Sequence, residues 1–72
     1  MMPQLTWDDT EEIALALYEK HRDTDPLKVR FTDLHKWVTE LGDFGDDPTK
    51  SSEGKLEAIQ MAWYDEWKEN AS

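Results

Sequence analysis

The sequence predicts a single, mainly α domain of three helices, and three observations carry the prediction. Apolar residues recur at helical spacing in three windows, with Leu34, Trp37, Val38 and Leu41 the cleanest i, i+3, i+4, i+7 series. Turn-forming segments, Asp23-Thr24-Asp25-Pro26 and the run from Gly42 to Ser52, separate those windows. Only Val29-Arg30-Phe31 reads as β-prone, and it is too short to form a sheet without a partner. All 72 residues belong to one domain. Its ordered core is expected over about residues 5–67, with fraying ends.

The first helix starts at Asp8-Asp9-Thr10-Glu11, where a carboxylate in the N-cap role has a glutamate three positions on, as in a capping box. Ile13, Ala16, Leu17 and Lys20 form its inner stripe, with Ala14 at the edge, so it runs to about Lys20 or His21. Asp8, Glu12, Leu15 and Glu19 fall on the opposite side. Thr32 caps the second helix, and Gly42 suits the left-handed residue that often closes one. The third helix begins near Ser51 or Ser52. Leu56, Ile59, Trp63 and Trp67 share about a quarter of its circumference, and Glu57, Met61, Asp65 and Glu69 lie roughly opposite. Helix, short strand, helix, helix is the opening order of a winged helix-turn-helix. The expected fold is therefore a winged-helix-like three-helix domain, with a short β segment and no full wing.

Composition narrows the function. Asp and Glu outnumber Lys and Arg by 17 to 8, a formal charge of −9, so a nucleic-acid backbone would repel this chain. A basic protein surface or a cation is the partner such a field attracts. There is no cysteine, which removes disulfides and thiolate metal sites. Four tryptophans are the available substitute. Trp37 and Trp63 are expected in the core with Ile13, Leu17, Leu34, Val38, Leu41 and Ile59. No apolar run approaches the roughly 20 residues of a membrane span. Met1-Met2-Pro3-Gln4 has neither the basic nor the apolar region of a secretory signal, so a cytoplasmic location is expected.

The carboxylates allow more than one reading. On the first helix they surround Leu15, either as a solvated face with one stray apolar residue or as a docking surface. Asp43, Asp46 and Asp47 could offer oxygens to a hard cation, but they lack the alternating order of a calcium loop. A cap or turn role is the other reading. His21 and His35 do not have the spacing of a zinc site, so no zinc is expected, and His35 should flank the core. Neither a nucleophile–base pair nor a phosphate-cradling glycine loop is present, so no enzyme is expected.

Particular phrases in the chain are more specific than its periodicity. Trp7-Asp8-Asp9, Glu12-Ile13-Ala14, Leu17-Tyr18 and Asp25-Pro26 precede Val29-Arg30-Phe31-Thr32-Asp33-Leu34-His35-Lys36-Trp37-Val38. Leu41, Phe44, Asp46-Asp47-Pro48, Ser52-Glu53, Leu56-Glu57-Ala58-Ile59-Gln60, Trp63 and Glu66 follow in order. From about Leu5 to Glu66 the chain resembles the IscX family, and Trp67 lies past the part that matches. The resemblance implies an accessory protein of bacterial iron–sulphur cluster assembly with a winged-helix-like fold. It implies binding to the cysteine desulfurase IscS through an acidic surface, at a site overlapping that of frataxin and ferredoxin. It also implies weak iron binding, either as Fe(II) or Fe(III), through carboxylates and water.

The acidic positions of that family match here at Asp9, Glu12, Asp33, Asp46, Asp47 and Glu57, the candidate iron ligands. Helical geometry assigns Asp8, Asp9, Glu12, Leu15 and Glu19 to the partner. The expectation is a monomeric adaptor that regulates the desulfurase. The alternative is a carrier that delivers Fe(II) to the assembly complex.

Overall fold

A computed structural model describes residues 4–70. Three helices, α1 (Thr10–Lys20), α2 (Phe31–Thr39) and α3 (Glu53–Asn70), are joined through 3-10 turns at Pro26–Lys28 and Pro48–Lys50. The three-helix, mainly α architecture is the one the periodicity predicts. None of the described helices is long and apolar enough to cross a membrane. The fraying expected at the C-terminus falls partly on Ala71 and Ser72, which lie outside the described residues, as do Met1, Met2 and Pro3.

Asp9 occupies the N-cap position of α1, but no capping box forms. Its Oδ2 turns back to accept from Thr6 N at 2.9 Å and from Thr6 Oγ1 at 3.3 Å. The preceding segment, rather than the helix, thereby takes up the carboxylate. The inner stripe of α1 is also rotated from the expected one. Ile13, Ala14 and Leu17 are fully buried, whereas Ala16 is half-buried and Lys20 exposed. Alanine carries too little hydrophobicity to mark which of two neighbours faces the core. The outward placement of Asp8, Glu12, Leu15 and Glu19 holds, and Leu15 is 47% exposed.

Val29-Arg30-Phe31 does not form the expected β segment. Val29 and Arg30 are extended, but α2 already begins at Phe31, one residue before the expected Thr32 cap. Gln60 on α3 donates from Nε2 to the carbonyls of Pro26 (2.9 Å) and Val29 (3.4 Å). A side chain thus takes the place that a pairing strand would have filled. The winged-helix description therefore loses its strand. The β-bridge seen among the described residues instead joins Leu5 to Phe44.

α2 buries Leu34 and Val38, followed by Leu41 just past its end. Trp37 is only half-buried. No glycine takes a positive φ, so Gly42 is not the left-handed residue expected there. The chain leaves α2 through successive turns instead, with Leu41 N donating to Val38 O (3.1 Å) and Phe44 N to Leu41 O (3.0 Å). Ser52 starts α3 as anticipated. Its O accepts from Leu56 N at 3.0 Å and its Oγ from Lys55 N at 3.2 Å. Leu56, Ile59 and Trp63 face the core, and Glu57, Met61, Asp65 and Glu69 face outward.

Trp63 is the buried aromatic of α3, and its Nε1 has no partner among the described residues. The other buried tryptophan is Trp7, 2% exposed, in the segment before α1. Burying one indole removes about 150–250 Å² from water, roughly 4–6 kcal/mol gross at about 25 cal/mol per Å². In a chain of 72 residues, two such anchors are a large share of the apolar gain.

Candidate docking face and carboxylates

Two groups of acidic residues differ in character. The first lies along the seam between α1 and α3. Glu11, Glu12, Leu15 and Glu66 line one shallow depression there. Glu11, Ala14, Ala62, Asp65 and Glu66 line a neighbouring one of about 200 Å³. No lysine or arginine lines either. The result is a half-exposed leucine and a small-residue seam bordered by four carboxylates, Glu11, Glu12, Asp65 and Glu66. Their like charges face solvent, where a basic side chain could approach more than one at once.

The structure brings together only part of the predicted partner face. Glu12 and Leu15 adjoin each other in the seam. Asp8 forms an ion pair with Lys55 of α3, an exposed contact of small energetic value. Asp9 is taken up by Thr6. Glu19 lines a different depression with Ala16, Lys20, Leu41, Gly42 and Asp43. Sequence reasoning missed Glu11, Asp65 and Glu66 as members of the face. The missing signal was tertiary, because which side of α3 meets α1 depends on packing between two distant helices. Two cations lie elsewhere against rings, Arg22 over Tyr18 at 5.8 Å and Lys68 over Tyr64 at 5.6 Å.

The second group is the loop pair Asp46 and Asp47. Asp46 Oδ2 accepts from Trp7 N at 3.1 Å, and its Oδ1 accepts from Asp47 N at 2.7 Å. Asp47 Oδ1 accepts from Thr49 N at 2.9 Å and Thr49 Oγ1 at 2.8 Å. Those donors favour the charged form and hold both carboxyls below the usual aspartate range, the Trp7 and Asp47 amides for Asp46 and Thr49 for Asp47. This is the turn role considered for the loop acids. Asp47 O also accepts the Trp7 indole N–H at 2.7 Å.

The six candidate iron ligands are not gathered into one site. Asp9, Asp46 and Asp47 are engaged by backbone donors. Glu12, Asp33 and Glu57 are exposed on three different helices. Among the described residues, no three His, Asp or Glu side chains are grouped so as to hold a metal ion.

The histidines belong to two separate aromatic stacks. His35 lies over Trp7 with ring centroids 5.5 Å apart, and its Nε2 is 2.7 Å from Pro48 O, which requires that nitrogen to carry the proton and donate. His21 stacks on Trp37, and burial, aided by Lys20, pushes its pKa below the ordinary histidine value.

Comparison with known proteins adds the family context. The chain matches a family described as iron–sulphur cluster assembly over residues 5–68, a region that includes Trp67. It is similar to an uncharacterized protein of Pseudomonas aeruginosa, 52% identical over 62 residues that make up 86% of this chain and 94% of that protein.

Proposed function

This chain belongs to the IscX family of iron–sulphur cluster assembly proteins, and we propose on that basis that it is a non-catalytic adaptor for the cysteine desulfurase. It docks through the α1–α3 seam on a basic patch of an IscS-like partner, overlapping the site used by frataxin and ferredoxin, and tunes sulphur delivery. It acts as a cytoplasmic monomer. The observation that supports this reading is the placement of Glu11, Glu12, Asp65 and Glu66 around half-exposed Leu15, with no cation lining the seam. Carboxylates steer the encounter, and Leu15 supplies an apolar contact that persists after docking.

Iron is a weak ligand of exposed carboxylates such as Glu12, Asp33 and Glu57, and not a resident cofactor. Hard oxygen ligands spread over three helices suit a modulating cation better than a carried one. The carrier model requires Fe(II) to be held without the partner. The scattered positions of the candidate ligands favour the adaptor.

Desulfurase binding measured over a salt series, with and without Fe(II), tests the proposal. Affinity should fall steeply with salt, because screening acts over about 8 Å at physiological ionic strength. Reversing Glu11 and Glu12 to Lys should slow association, whereas Leu15→Ala should speed dissociation. Glu69→Lys, on the outer face of α3, is the control. Binding indifferent to salt and to the double reversal would overturn the docking model.

A further inference from the structure

Asp46 and Asp47 look like cation ligands in the sequence, yet their carboxylates accept from the chain itself, Asp46 from the Trp7 and Asp47 amides and Asp47 from the amide and hydroxyl of Thr49. Three parts of the chain meet at them. Leu5 is clamped by the loop, with its N donating to Asp43 O at 2.6 Å and its O accepting from Gly45 N at 2.9 Å. Trp7 then donates its backbone N–H to Asp46 Oδ2 and its indole N–H to Asp47 O. Phe44 meets the indole edge-on, with centroids 4.8 Å apart, and His35 of α2 covers a face while bonding Pro48 O. Thr6, one residue before Trp7, accepts from Asp9 N and donates to the Asp9 carboxylate. The Asp46 carboxylate and the Asp47 carbonyl are thus linked through Trp7 and Thr6 to the first turn of α1, where Glu11 and Glu12 stand.

We propose that Asp46 is a positioning residue, whose carboxylate, together with the main-chain carbonyl of Asp47, fixes Trp7 and with it the start of α1, and that neither loop carboxylate serves as a metal ligand. An acceptor and a metal ligand respond differently to asparagine. Asn keeps one side-chain oxygen able to accept from Trp7 N or Thr49 N, replaces the other with an NH2 donor, and removes the charge that strengthens binding of a hard cation. Alanine removes both the oxygens and the charge.

The inference concerns the free chain, so its test needs no partner and stands apart from the docking proposal. Nitrogen-15-labelled protein would be compared as wild type, Asp46→Asn, Asp46→Ala and the Asp46→Asn/Asp47→Asn pair. Each would be titrated with Mn(II) as a paramagnetic hard cation. Asp46→Asn, which keeps one of the two acceptor oxygens, should disturb the Trp7 indole and residues 10–13 less than Asp46→Ala does, and Mn(II) affinity should be unchanged. In Asp46→Ala the Trp7 backbone N–H should exchange about three- to tenfold faster, the scale of one lost hydrogen bond, and the residue 10–13 resonances should move. Trp7→Phe is the companion variant if Asp46→Ala fails to fold. It leaves both carboxylates in place and should still shift residues 10–13. The inference is overturned if Asn and Ala perturb Trp7 alike. It is also overturned if the double Asn variant loses Mn(II) affinity by about tenfold or more, the penalty that even outer-sphere partners of a metal command.

Discussion

The imidazole of His21 lies nearly flat on the indole of Trp37, with centroids 4.2 Å apart and planes 12° from parallel. Trp37 in turn meets Trp63 edge-on at 6.2 Å. Three aromatic rings from the end of α1, from α2 and from α3 therefore close one end of the core. Burial at this end of the core, with Lys20 nearby, depresses the His21 pKa.

Because the folded pKa of His21 lies below the unfolded one, the unfolded chain binds the proton more readily. Its contribution is fully present above the unfolded value, about 6.5, and is lost as pH falls through that value toward the folded pKa. Thermal unfolding should therefore soften from pH 7.5 to 5.5 in the wild type. His21→Phe, which keeps a ring on Trp37, should flatten that dependence, and an unaltered slope would show that His21 does not carry it.

The loop carboxylates act in a lower window. Asp46 and Asp47 have depressed folded pKa values, so their contribution is present above about 3.9, the unfolded value, and disappears as pH falls through the folded ones. Near-UV circular dichroism in an acid titration should show loss of the Trp7 environment in that range. In Asp46→Asn part of that transition should vanish, since the group no longer titrates.

Trp63 should dominate stability. It is fully buried, whereas Trp37 is half-buried. Trp63→Ala should cost about 3–5 kcal/mol, enough to unfold much of a domain whose total is on the order of 5–15 kcal/mol. Trp37→Ala should cost distinctly less, and Trp63→Phe less than Trp63→Ala, because phenylalanine keeps a ring in the core while shedding the unpartnered indole N–H. Urea unfolding of the three variants gives the order directly.

Gly45 and Gly42 should behave oppositely despite lying three positions apart. A Cβ on Gly45 would sit 2.7 Å from Gln4 Cβ, so alanine must push away the segment that Leu5 pins to the loop. Gly42 has open space around the same position and no positive φ. Gly42→Ala should be neutral or stabilising by about 0.4–1 kcal/mol through the unfolded chain. Gly45→Ala should lower the melting temperature and disturb Trp7 fluorescence.

These contrasts also mark what was legible in the sequence. Leu34, Val38 and Leu41, and then Leu56, Ile59 and Trp63, announce their helices and their inner faces because large apolar side chains repeat at the helical period. Trp7 gives no such signal, since one buried residue in an irregular segment has no period to detect. Ala14 outranks Ala16 only because α1 meets α3 on that side. Val29 and Phe31 have the branched and aromatic character of a strand. Yet both pack against the core, and the Val29 carbonyl is taken by Gln60, a residue about thirty positions away that no local pattern reveals. The candidate site divides in the same way. Glu12 and Leu15 could be placed on an outer face from α1 alone, but Glu11, Asp65 and Glu66 join them only when two helices are docked.

The attachment of Trp7 has a kinetic consequence. Its bonds to Asp46 and Asp47 span 39 and 40 residues, whereas most helical hydrogen bonds span four. Closing so long a loop has an entropic cost that must be met before its contacts return anything. The helices can form and pair first, leaving the N-terminal segment to dock late, on the native side of the folding barrier. Removing the Trp7 indole N–H should then leave the folding limb of a chevron nearly unmoved and raise the unfolding limb. The contact that completes the core would govern how long the domain stays folded, and scarcely at all how fast it gets there.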